Sequence, residues 1–396
     1  MRKNLLMTAA AIAALLTGCS TDEEIANIET SAKNAIGFNT VSNGAETKAT
    51  IYGPASKDFD FDVFAFDDSG HYFMGKEGEH GYHQNEDNSF THDGVQITYK
   101  TDKWDYKNPA ELAYWPTSSL NFYAVSPTNF DMGSYFMNYS WSIKSNQQTI
   151  IYTTVDEFAK GTKNLDVMYA VAKNKAKGDN GGVVKLNFKH TLSQVLFRAK
   201  VQYEAMNVTI KEMKIYNFAH GGTFTIPAGE PSQSDWSGVI PTKGGAYTVK
   251  KEGTDITVST TDENNPEWIS SETDPMLFIP QQLTAWSTTP TSAVTTHNAN
   301  NNLQSYLKIS MKLTQNGQYL IGSESEYKNI YVPFTNVGTN NVTGWEPGKR
   351  YIYTLNFGGG YDEQGKPILT PITFEPTVED WKDASGYTPD VPAYTN

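Results

Sequence analysis

The chain holds a single cysteine, Cys19, among 396 residues. One sulfur excludes an internal disulfide framework and any thiolate metal site, both of which need partners. No long apolar run is present either. The one such stretch, Leu5 to Leu16, is about a dozen residues and reaches roughly 18 Å as a helix, short of the ~30 Å hydrocarbon core of a bilayer. Charge is sparse at 19%, and positive charge is outnumbered, 31 Lys and Arg against 44 Asp and Glu, for a net −13. Nucleic-acid binders carry clustered basic residues, so that class is excluded, as is electrostatic docking to an anionic membrane. Catalytic signatures are missing too: G-x-S-x-G, H-E-x-x-H, the P-loop and C-x-x-C are not found. No enzyme, cofactor or metal is expected.

The first residues are more informative. Arg2 and Lys3 precede the apolar run, which ends in Leu16-Thr17-Gly18-Cys19. A basic start, an apolar run and small residues before a cut describe a secretory signal over 1–18. The ending resembles a bacterial lipobox, whose cysteine carries lipid, so Cys19 is the expected anchor to the outer membrane. Each buried lipid CH₂ contributes about 0.8 kcal/mol, and two or more chains hold firmly without a spanning helix. Ser20 to Glu24 is acidic. It reads either as a surface-export signal like that of Bacteroidetes lipoproteins or as a solvated part of a tether over 19–34.

Aromatics reach 13%, and aromatic side chains favour strands. Ala35 to Val41 reads as a first strand, with Ile36, Phe38 and Thr40 on one parity. Phe59 to Val63 alternates, and Phe64-Ala65-Phe66 is apolar on both faces, as in a strand entering a sandwich core. Further strands are expected at 120–125, 166–170, 184–188, 195–201, 255–260, 303–313, 330–334, 351–357 and 372–374. The segment from Leu192 to Ala199 also fits a helical period, but its β-rich flanks favour a strand. Lys173 to Gly182 is charged and turn-rich, ending in Asp179-Asn180-Gly181-Gly182. It is read as a domain boundary, with a long hairpin turn as the alternative. Many short strands separated by turns give an all-β chain, and the length accommodates two sandwiches in series. The expected division is 35–180 and 181–382, with a loose tail at 383–396.

Four of the seven histidines, His71, His80, His83 and His92, fall between Gly70 and Asp93 beside acidic residues. Imidazole with carboxylate suits zinc, but a glycine- and asparagine-rich stretch does not preorganise ligands, so a polar surface loop is expected. His190 sits among apolar residues and reads as a satisfied buried histidine. Asp58, Asp60 and Asp62 would share one strand face, without the loop of a calcium site. The eight tryptophans do not cluster in sequence and read mostly as packing.

Taken in order, several short motifs resemble the Bacteroidetes fimbrillins, the type V pilins. They are the lipobox and acidic tether, the first strand with Glu46-Thr47-Lys48-Ala49-Thr50 after it, and Phe61 to Phe66. Ala113-Tyr114-Trp115-Pro116, Asp166 to Ala170, Phe188 to Ser193, Phe278 to Leu283 and Trp345 to Tyr351 continue the series. The resemblance implies two tandem transthyretin-like β-sandwich domains after a lipoprotein signal peptide. It implies a lipoprotein precursor at the cell surface, cut by a trypsin-like protease after a basic residue, here Lys48. The displaced first strand would be that of Ile36, Phe38 and Val41. Its groove would receive a strand from another subunit in a head-to-tail polymer, with Ile372, Phe374 and Trp381 marking the candidate donor. Lys48 departs from the arginine that some relatives use. The partners implied are other pilus subunits, the membrane through the lipid on Cys19, the protease, and a host or bacterial surface ligand. The alternative is a monomeric surface lipoprotein binding glycans through its sandwich modules, which would need exposed aromatic rings gathered in one groove.

Overall fold

Phe61–Phe66 is buried at all six positions, and the reason lies in its composition. A strand sends successive side chains to opposite faces, so a run apolar at both parities needs a core on each side. Phe61, Val63 and Ala65 enter one core, and Phe64 and Phe66 another. The computed structural model describes residues 34–41, 60–78, 81–84, 90–100, 103–128, 139–157, 164–242, 245–250, 253–272, 274–284, 304–333, 342–361, 367–369 and 373–381. Among them the chain is almost wholly β, and helical structure amounts to single turns such as Pro109–Glu111.

The strand Phe61–Phe66 lies inside the first large sheet. Its order is Lys189–His190, Met168–Lys175, Leu120–Ser126, Phe61–Phe66, Val95–Lys100, Lys103–Tyr106, with Tyr72–Met74 also on Phe61–Phe66. One face is covered by a parallel pair, Gly37–Val41 with Val183–Asn187, around a core of Phe38, Phe61, Phe122, Trp104, Trp115 and Leu186. Over the other face lies a second sheet, ordered Trp236–Ser237, Gly221–Thr225, Gln148–Thr153, Tyr139–Ile143. Trp141, Tyr152, Tyr169, Phe224 and Ile279 fill the space between them.

The next core lies between two further sheets. One is ordered Glu267–Trp268, Ser193–Val201, Lys349–Phe357, Thr373–Asp380. The other runs Ala246–Lys250, Met206–Tyr216, Tyr306–Gln315, Lys328–Pro333, Gly359–Tyr361, Pro367–Leu369. Leu307, Ile309, Met311 and Leu313 alternate inward as their spacing predicts, and all four are buried. Ser193–Val201 is a strand buried on both faces, so the helical period at 192–199 was coincidental.

The polar turn at 173–182 is placed differently from the expected boundary. Asn180 and Gly181 adopt positive φ there, the left-handed geometry that Asn-Gly supplies at low cost. The turn carries the chain from the large sheet into Val183–Asn187, which pairs with the first strand. Val184, Leu186 and Phe188 are buried in the first core. A division at 180/181 would therefore cut a ladder. The chain leaves the first sheet after His190; Gly221–Thr225 later returns beside Gln148–Thr153, and Trp236–Ser237 pairs on its outer side.

Candidate functional site

The first strand completes the core of the N-terminal unit. Gly37–Val41 runs parallel to Val183–Asn187 in the register Gly37↔Val183 to Val41↔Asn187. Ile36 and Phe38 are 1% and 6% exposed. The Phe38 ring meets Phe61, Tyr106 and Phe122 edge-on, at centroid distances of 6.5, 5.9 and 6.1 Å. Edge-to-face pairs of this kind add about 0.5–1.5 kcal/mol each beyond area burial.

Polar contacts tie the strand down. The Tyr106 hydroxyl donates to the Ile36 carbonyl at 3.0 Å, and burial pushes its pKa well above the ordinary tyrosine value. Trp104 Nε1 donates to Thr40 Oγ1 at 3.1 Å. The Ile36 amide donates to the Ala113 carbonyl at 2.9 Å, and the Trp115 amide to the Asn34 carbonyl at 2.9 Å. Lys103–Tyr106 thus aims two aromatic donors at the strand from the edge of the large sheet. The alternation of Trp104 and Tyr106 was a visible signal in the sequence; their role was not.

Sequence reading did not foresee the arrangement at the other end. Thr373–Asp380 pairs antiparallel with Lys349–Phe357 over eight residues, as the edge strand of its own sheet. Phe374 stands opposite Leu355 there. The segment expected as a donor is seated on its own chain. Just beyond it, the Trp381 amide donates to the Gly348 carbonyl at 2.8 Å. Its ring stacks on His190 at 3.9 Å, 6° from parallel. His190 Nδ1 lies 3.0 Å from Asp166 Oδ1, both side chains being buried, so the histidine is partnered as its apolar setting suggested. Ile372, Lys48 and Cys19 lie outside the described residues, as does the tail, and Val41 is placed by its backbone pairing alone.

His71 lies 3.3 Å from Asp67 across a turn, His83 is opposite Thr91 in a small hairpin, and His80 is outside the described residues. His92 Nδ1 is 3.0 Å from Oδ2 of the fully buried Asp62. Burial raises the Asp62 carboxyl above its ordinary value, and the hydrogen bond and charge of His92 pull it partly back. Asp60, on the same parity, is held instead by Lys107 Nζ at 3.2 Å. Among the described residues no three His, Cys, Asp or Glu side chains are placed to share a metal ion. Trp104, Trp115, Trp141, Trp236 and Trp345 are all core residues. Among the described residues the large exposed rings are Phe73 and Tyr319, on different strands, and Tyr114 and Tyr203, in the connections between elements.

Fold and site together define a class: an all-β protein in which a short N-terminal strand completes a core lined with aromatic rings. Residues 47–381 match the family described as fimbrillin-like, and the chain belongs to that family. A fimbrial protein from Bacteroides vulgatus superposes with a TM-score of 0.52 at 15% identity, covering 88% of this chain and 100% of that one. That likeness speaks for the fold. The C-terminally truncated tip fimbrial protein Mfa3 from Porphyromonas gingivalis is similar at TM-score 0.39 and 10% identity, over 82% of this chain and 94% of that one. The fimbrial anchor protein Mfa2 from the same organism follows at 0.32 and 9%, over 87% and 98%. No curated protein matches.

Proposed function

We propose that this fimbrillin-like chain is a structural subunit or accessory protein of a surface fimbrium, assembled by removal of its first strand and entry of a strand from another subunit. The observation that carries this reading is that, among the described residues, Ile36 and Phe38 complete a core whose other members come from residues 61–188. The family match begins at residue 47, after that strand. Taking the strand away uncovers Phe61, Tyr106 and Phe122 and leaves the Val183–Asn187 ladder unpaired on that side. An apolar groove beside an open strand edge is a template for β-augmentation. Contacts of this head-to-tail kind do not close on themselves, so they propagate a filament.

In this reading Cys19 carries the lipid that holds the precursor at the outer membrane, and cleavage falls after Lys48. Ile372 to Trp381, with the tail, is the donor. It must leave its place beside Lys349–Phe357 to act, and the stack of Trp381 on His190 sets part of the cost. The role is adhesive and structural, with a host or bacterial surface ligand as the ultimate partner.

The test is limited trypsin treatment of the chain without its signal, followed by unboiled gels and electron micrographs. Cleavage after Lys48 with a ladder of stable multimers is expected. Resistance at Lys48, or cleavage that leaves only monomer under conditions that release the C-terminal strand, would overturn the reading.

A further inference from the structure

We propose that the groove closed by the first strand selects its occupant by side chain, taking a strand with an aromatic residue followed two positions later by serine or threonine. This rests on the strand-exchange reading above and adds what the groove recognises. Main-chain hydrogen bonds supply affinity in strand addition without regard to sequence, and pockets for alternate side chains supply specificity. The Tyr106 hydroxyl belongs to the first kind, because it takes the backbone carbonyl of Ile36, which any residue offers.

Three contacts belong to the second kind. Phe61, Tyr106 and Phe122 present a pocket in which Phe38 meets all three rings edge-on, a geometry that an aliphatic side chain cannot reproduce. Trp104 Nε1 has one hydrogen to give and gives it to Thr40 Oγ1. An occupant with an apolar side chain there takes that acceptor away while still crowding the indole. Third, a Cβ added at Gly37 would lie 3.3 Å from Val183 Cγ2, so the residue before the aromatic one must be glycine unless Val183 yields.

These requirements describe Gly37-Phe38-Asn39-Thr40 and not this chain's own C-terminal strand. Aligned in the parallel direction with Phe374 at the Phe38 position, that strand brings Thr373 to the place of Gly37 and Pro376 to the place of Thr40. It fills the ring pocket, crowds Val183 and offers the indole no acceptor. The occupant that fits best is a strand from a different subunit, and the C-terminal strand of another copy enters with lower affinity, so a joint between copies of this chain is the weaker one and a mixed joint the stronger.

The experiment uses the signal-free chain nicked after Lys48, with its first strand still bound, and measures displacement of that strand by labelled synthetic peptides. Four are compared: residues 34–41, the same peptide with Thr40→Ser, the same with Thr40→Val, and residues 371–378. The wild-type and Thr40→Ser peptides should enter with similar affinity. Loss of the acceptor of this part-buried hydrogen bond predicts roughly two- to tenfold weaker entry for Thr40→Val, and at least that for 371–378. On Trp104→Phe protein the gap between Thr40 and Thr40→Val should close, which a general packing effect would not do. Equal entry of the Thr40 and Thr40→Val peptides, a gap that persists in Trp104→Phe, or equal entry of 371–378, overturns the inference and leaves strand exchange standing. Failure of every peptide, the wild-type one included, overturns strand exchange and this inference with it.

Discussion

Replacing Phe38 with alanine in the uncut chain removes a ring that meets Phe61, Tyr106 and Phe122 together. Phe38 is 6% exposed, so nearly all of its surface is withdrawn from water. Burying a phenylalanine contributes about 1.5–3 kcal/mol by transfer alone. The void left behind raises the loss to roughly 3–5 kcal/mol where neighbours cannot collapse into it. Collapse is hindered here, because Gly37 already lies against Val183 and the Tyr106 hydroxyl fixes the Ile36 carbonyl. With a urea m-value of about 2–3 kcal/mol per molar, the midpoint of the N-terminal unit should fall by roughly 1–2 M. Trp104 and Trp115 belong to that core, Trp141 and Trp236 to the core on the other face of the first sheet, and Trp345 to the core between the two further sheets, so fluorescence reports on all three. Hydrogen exchange separates the outcomes further: amides of Val183–Asn187 should lose protection first, as a local opening below the global barrier. Lys185→Ala, on an exposed position of the same ladder, is the control and should stay within about 0.5 kcal/mol. A Phe38→Ala loss as small as that control would refute the claim that the first strand completes the core.

Asp62→Asn tests the buried pair with His92. The Asp62 carboxyl is raised above 3.8, chiefly by burial, so the folded state holds its proton more tightly than the unfolded chain does. Its favourable contribution is complete below the ordinary carboxylate value and is lost as pH rises through the folded one. Urea midpoints from about pH 4 to 7 should therefore vary less with pH in the variant, and an unchanged slope would clear Asp62 of that role. Trp381→Ala removes the stack on His190 and loosens the end of the C-terminal strand. Exchange in Thr373–Asp380 should speed by roughly two- to tenfold while Ser193–Val201 is unchanged, and uniform protection would show that the strand is held by its ladder alone.

Much of this could be read from residue order. Period-two alternation located Leu307 to Leu313 and Tyr351 to Phe357, and both are core strands. The doubly apolar run at Phe64 to Phe66 pointed to a strand entering a sandwich core, and the structure puts a core on each side of it. His190 was expected to be buried and satisfied, and Asp166 satisfies it from 24 positions away. That distance explains why the partner could not be named. Alternation tells which face a residue takes but not which strand lies beside it. The turn at 173–182 misled for the same reason, since polar and glycine-rich residues mark a turn equally well inside a unit or between units.

By itself the sequence determined the class of structure: strand periods, turn chemistry and a lone cysteine left an all-β chain without disulfides. The ordered series of short motifs pointed to the fimbrillin family, and the match over 47–381 bears that out. Tertiary structure alone decided the partners. It set the first strand parallel to Val183–Asn187, aimed Trp104 and Tyr106 at it, and placed the C-terminal strand against Lys349–Phe357. Strand pairing between distant segments depends on which apolar faces can be covered together, a property of the whole chain that no local window contains.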